Sequence, residues 1–178
     1  MDVQRLEDFC RPFYEEKDMM HNLDHIHRVL KMACQIAKPY QYQIDQEVLI
    51  AGAYFHGIIN KEENRNQILN FLESQGVNKE KMQAILQAAE GSQKDFIPET
   101  LEGKILHDAH LLEGGKTFLI VKSLITGSLR GQSLEETIRI VEEKLLDRFI
   151  CALPENKALY KEKEKFAREL IQELKPYL

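Results

Sequence analysis

HNLDHIHRVLKMACQIAK, residues 21–38, decides how the rest of the chain is read. Leu23, Ile26, Val29, Leu30, Ala33, Ile36 and Ala37 recur at helical spacing and form one apolar stripe. Pro39 ends the helix, because a proline pushes the residue before it out of helical geometry. His25 lies one turn before Val29, on or beside the buried stripe, and His21 lies one turn earlier, looking the same way. The same periodicity holds outward in both directions. Residues 2–16 read as a leading helix. Asp45 caps a helix over 46–59 that is apolar on most sides and therefore central. The polar stretch NKEENRN leads into QILNFLESQG, with Gly76 as a C-cap. Asn78 caps 79–90, and GSQKDFIPE, residues 91–99, is a loop. Helices follow over 101–113, ended by two glycines, and over 117–129, ended near Gly131. Ser133 and Glu136 form a capping box for 134–151. After Pro154 comes a last amphipathic helix, whose KEKEK run reads as a solvated face. No strand-like alternation competes. The expectation is one all-α domain over 1–178, a bundle of about eight or nine helices.

Bulk properties narrow the function. A chain of 178 residues can bury a proper core without disulfides or metal staples. A net charge of -5 and a pI near 5.7 recruit neither nucleic acid nor an anionic membrane surface. The three cysteines, Cys10, Cys34 and Cys151, are scattered, so neither a thiolate zinc site nor a disulfide framework is expected. A reducing cytoplasm fits best. The opening MDVQRLEDFC lacks the apolar core of a signal peptide, and no apolar run is long enough to span a bilayer.

The chemistry is concentrated in the histidines. All six fall in three short stretches: HNLDHIHRV (His21, His25, His27), YFHG (His56) and LHDAH (His107, His110). Singly, His21 and His27 read as exposed helix residues, and His56 as a hydrogen-bonded core histidine. Together, three clusters on three helices read as a site assembled inside a bundle. Imidazole and carboxylate suit a first-row divalent ion such as Mn, Fe, Ni or Zn. Asp108 lies between Leu106 and Leu111, and a buried carboxylate wants a cation.

HNLDHIHRVLKMACQIAK, VLIAGAYFHGI and GKILHDAHLLEGGK, in this order and at these separations, resemble the HD-domain phosphohydrolase superfamily, more narrowly its small stand-alone hydrolases, some of which act on nucleotides. The likeness runs from about residue 3 to 178 and includes the tail EEKLLDRFICALPENKALYKEKEKFARELI. It implies a helical bundle holding a divalent metal (Mn, Fe, Ni, Zn or Mg) through a first His, an adjacent His-Asp pair and a distant Asp. Carried over residue by residue, this gives His25, His56 and Asp108, with Asp108 also catalytic. The Asp of the pair falls on Gly57. Further departures follow: where the family has D-A-D-R-L, this chain has His110 and Leu111 in place of the second Asp and the Arg. A loop histidine that often follows the fifth helix is replaced by Glu90, Gly91 and Ser92.

Three readings stay open on this basis. The chain is a metal-dependent phosphohydrolase on a nucleotide or small phosphate ester, with a weakened or rewired site. Alternatively, it is an inactive HD-like scaffold binding a nucleotide-like ligand or a protein partner. In the plainest reading it is a helical domain whose histidines are satisfied by hydrogen bonds. His21, His107 and His110 are candidate substitute ligands. Arg28, Lys61 and Arg65 are candidates for charge around a phosphate, or ordinary surface bases. Gly57→Asp is expected to raise metal affinity.

Overall fold

Most helices begin where a short polar side chain can accept from backbone N–H groups that have no partner within the helix. Asp2 does this for α1 (Val3–Glu15), Asn22 for α2 (Leu23–Ala37), Asp45 for α3 (Gln46–Phe55), Asn78 for α5 (Lys79–Gly91), Thr100 for α6 (Leu101–Leu112) and Ser133 for α8 (Leu134–Lys144). The remaining helices, α4 (Glu62–Ser74), α7 (Phe118–Leu129) and α9 (Lys157–Leu174), have no side-chain cap. This computed structural model describes residues 1–93, 96 and 98–178, and among them there are nine α-helices and no strand. The all-α expectation holds. The loop expected over 91–99 includes Lys94, Asp95 and Ile97, which lie outside the described residues.

The central position of α3 follows from its composition. Leu49, Ala51, Ala53, Tyr54 and Phe55 are all buried, so neighbours cover it on several sides. Gly52 permits the closest approach: a Cβ there would stand 2.8 Å from Leu106 Cδ1 and 3.1 Å from Ala88 Cβ. Only a glycine lets α5 and α6 pack this tightly against α3. α1, α2 and α4 complete this core, with Leu6, Ile26, Val29, Ile68, Leu72, Ile85 and Ile105 inside it. A second apolar cluster joins α7, α8 and α9 through Ile120, Ile138, Val141, Ala167 and Ile171. Leu111, Leu112, Cys151 and Tyr160 form a third, where the end of α6 meets the segment before α9 and α9 itself. Among the described residues, no helix is long and apolar enough to cross a membrane.

Four local expectations are corrected. The helix expected over 46–59 ends at Phe55, with His56 as its C-cap. The polar lead-in to α4 is itself helical from Glu62. The helix expected to reach 151 stops at Lys144, and Asp147 takes a positive φ of 59°. That turn lets Asp147 N–H donate to Glu164 Oε1 at 2.7 Å. The KEKEK run is not wholly solvated, since Lys163 and Glu164 are buried. Lys163 Nζ donates to Leu111 O at 2.9 Å and Glu113 O at 2.6 Å. A cation thus caps the carbonyl end of α6, where the helix dipole is negative.

Candidate metal centre

Three helices deliver one imidazole each. His25 lies in the first turn of α2, His56 caps the end of α3, and His110 sits near the end of α6. Their ring centroids are 5.2 Å apart in all three pairings. One ring nitrogen from each lies within 4.8 Å of the others. His25 and His56 are 4% and 2% exposed, so these rings are shut away from bulk water.

The hydrogen bonds orient the rings. His56 Nδ1 lies 2.6 Å from Ala53 O and donates to it. His25 Nδ1 is 2.9 Å from Glu113 Oε1, which favours the proton on that nitrogen. The two Nε2 atoms then face each other, lone pair to lone pair, 3.2 Å apart. Such a pair needs an electropositive centre between or beside it. His110 Nδ1 lies 3.3 Å from Ser92 O. A carboxylate or carbonyl on the far nitrogen, with the near nitrogen turned inward, is the usual arrangement around a metal-binding histidine. The residues present therefore fit a divalent ion.

The sequence did not point to Glu113. It is the C-cap of α6, 2% exposed, and it meets His25, Arg28 Nε at 2.7 Å and Lys122 Nζ at 2.9 Å. Burial alone would raise its carboxyl, but His25 and Lys122 outweigh burial and bring it down to about 2. Burial holds His56 down to about 3, helped by the neighbouring His25. It also lowers His25, against the pull of Glu113.

Asp108 is not brought to the two histidines. Its Oδ1 accepts from Ala152 N–H at 2.6 Å, and its Oδ2 from Leu153 N–H at 3.0 Å and Asn156 Nδ2 at 2.8 Å. It anchors the segment before α9, and burial raises its carboxyl despite those three donors. The reason is helical rotation. Residues two apart on a helix point about 200° apart, so when His110 faces His25 and His56, Asp108 faces away. The position where the family motif has its second Asp is the one turned inward, and here it carries His110.

Each remaining expected residue has a definite place. His107 is buried between Gln93 O (3.1 Å) and Ile150 O (3.2 Å). His21 sits at the edge of the cluster, with its ring 6.0 Å from His25 and Nδ1 2.8 Å from the Asp18 carboxylate. His27 is exposed beside Glu7, 2.8 Å away. Arg28 is committed to Glu113. Lys61 is exposed, and Arg65 pairs with Glu90. Gly57 has no positive φ, yet its side-chain space is taken. A Cβ there would meet Tyr14 Oη at 2.8 Å and Lys17 Nζ at 3.3 Å. Tyr14 donates to Tyr54 O, and Lys17 to Gly57 O, each at 2.7 Å.

Two cavities flank the cluster and share His21 and His110. One, of about 170 Å³, is also lined by Tyr14, Lys17, His25, His56, Gly57, Asn60 and Gln93. The other, of about 240 Å³, runs between α7, α8 and α9, with Lys122, Ser123, Thr126, Arg130 and Lys163 among its polar walls. The buried Thr126 hydroxyl has no hydrogen-bond partner among the described residues.

The helical architecture is similar to that of several solved structures, an HD-superfamily hydrolase among them. An HD-superfamily hydrolase of Bacillus thuringiensis matches with a TM-score of 0.71 at 19% identity, over 97% of this chain and 96% of that one. Bacillus subtilis YpgQ in complex with ADP matches with a TM-score of 0.77 at 19% identity, over 99% and 98%. A Lactobacillus plantarum protein reaches a TM-score of 0.79 at 18% identity, over 98% and 95%. At these identities the likeness shows the fold. No family model matches the chain, and no curated protein matches it.

Proposed function

We propose that the protein is an HD-type hydrolase acting on a nucleotide or small phosphate ester at a rewired metal centre. The observation that carries this reading is the three-histidine cluster beside a cation-walled cavity. A divalent ion held there would offset phosphoryl charge and make a water more acidic. The protein's own groups supply the rest. Lys122 and Arg130 stand where an anionic ester would lie, and Lys163 caps α6 at the cavity wall. Glu113 fixes the His25 ring and keeps Lys122 in place. The Thr126 hydroxyl offers a hydrogen bond to a sugar or phosphate oxygen. That a neighbour of the same fold is found in complex with ADP supports a nucleotide as the ligand.

Gly57 and His110 favour a second reading, a scaffold that binds such a ligand without cleaving it, because both stand where the resemblance expects a carboxylate. The test is a hydrolysis screen of purified protein against nucleoside mono-, di- and triphosphates with added Mn or Zn, beside calorimetric titration of ADP. Turnover lost in both His56→Ala and Lys122→Ala supports the hydrolase. ADP binding without turnover under any metal supports the scaffold, and neither binding nor turnover overturns both.

A further inference from the structure

We infer that His25, His56 and His110 form an all-imidazole site that selects zinc-class ions over Mn and Mg, resting on the metal-centre reading above. Among the described residues, the ligand set that one ion could share holds three imidazoles and no carboxylate. Both Asp108 oxygens are occupied by Ala152, Leu153 and Asn156. Glu113 touches the outer nitrogen of His25, where it orients the ring. Gly57 offers no donor atom. Neutral nitrogen ligands suit Zn, Co, Ni and Cu, whereas Mg and Mn want oxygen.

Charge and spacing point the same way. Lys122 Nζ lies 3.4 Å from His25 Nδ1, and Lys17 Nζ bonds to Gly57 O beside His56. Glu113 neutralises Lys122 at 2.9 Å, so these neighbours add no net negative charge that would hold an ion whose imidazole bonds are weak. The Nε2 atoms of His25 and His56 are 3.2 Å apart. Zn–N bonds of about 2.0–2.1 Å at tetrahedral angles place two nitrogens about 3.3 Å apart. Three protein ligands leave a fourth position for water or substrate, as in catalytic rather than structural zinc sites.

The experiment strips the full chain with chelator and titrates it with Co(II), following visible absorption, then competes with Zn and separately with Mn. The expected result is the intense visible band pattern of tetrahedral cobalt, displaced by Zn, with Zn preferred over Mn by at least about 100-fold. His110→Gln should weaken Zn by at least about 10-fold. His110→Asp restores an oxygen donor and should narrow the Zn-to-Mn ratio; circular dichroism identifies which of the two variants is folded. Equal binding of Mn and Zn, weak octahedral cobalt bands, or Zn affinity unmoved in a folded His110 variant would overturn the inference. Its failure is separable from that of the hydrolase reading. Tight Zn without turnover sinks only the hydrolase, while Mn-supported turnover with no Zn preference sinks only the inference.

Discussion

Gly57 shows how a single residue position is entangled with its neighbours. From the motif alone, restoring an aspartate there should restore a ligand. The structure fills that space with the buried, hydrogen-bonded Tyr14 and with Lys17. Gly57→Asp alone is therefore expected to cost about 1–3 kcal/mol of stability, the usual penalty for overpacking, and the new carboxylate would pair with Lys17 rather than with an ion. Adding Tyr14→Phe removes the closest contact. In a double-mutant cycle by urea denaturation, the pair should be less destabilising than the sum of the singles. Strict additivity would show that Tyr14 does not fill the gap. Asp108 gives the complementary prediction. Asp108→Ala leaves three donors unpaired and should cost about 3–5 kcal/mol. Metal affinity of the folded fraction should change by less than about 3-fold, against a larger loss for His110→Gln. A large metal loss in Asp108→Ala with His110→Gln silent would reinstate Asp108 as the ligand. These two residues also mark what the sequence could convey. That histidines cluster is legible because residue type carries the chemistry. Which of two residues two apart turns inward is set by how α6 rotates against α2 and α3.

At the scale of elements, helices were legible where local signals sufficed: the stripe of α2, the caps Asp45, Asn78 and Ser133, and the prolines that follow helices. The misread elements were governed by distant partners. Lys163 and Glu164 look like a solvated run until they meet the end of α6 and the turn at Asp147. Glu113 carries no sequence signal of its own, and its role is set by Arg28 and Lys122 from other helices. Glu47 on α3 illustrates a tie between elements that pH should cut. It pairs with the N-terminal ammonium and with Lys81 of α5 at 2.7 Å. The hydrogen bond from Lys81, then that from the N-terminus, holds its carboxyl down to about 2. The folded value lies below the ordinary value of 4.5, so the unfolded chain binds the proton more readily. The contribution is present above pH 4.5 and lost as pH falls towards about 2. Glu47 is 43% exposed, so the effect is small. Glu47→Gln should lower Tm by about 1–3 °C at pH 7 and by only about a quarter of that near pH 2.5. An equal shift at both values would assign the loss to packing instead.

At the scale of the whole molecule, the proposed three-histidine site would couple metal to stability. His25, His56 and His110 come from α2, α3 and α6, so an ion held by all three fastens those helices together and binds the folded state. Zinc at about 100 times its Kd should add about 2.7 kcal/mol, which raises Tm by roughly 5–10 °C in a chain of this size. A chelator should reverse the shift, and His56→Ala should abolish it. A zinc-independent Tm would mean that the histidines serve only as hydrogen-bonded core residues. The most direct test of the central claim is anomalous diffraction at the zinc edge from crystals soaked in zinc. The account predicts one strong peak about 2.0–2.1 Å from a ring nitrogen of each of His25, His56 and His110, with none at Asp108. A map with no peak among the three rings, or with its peak against the Asp108 carboxylate, would contradict it.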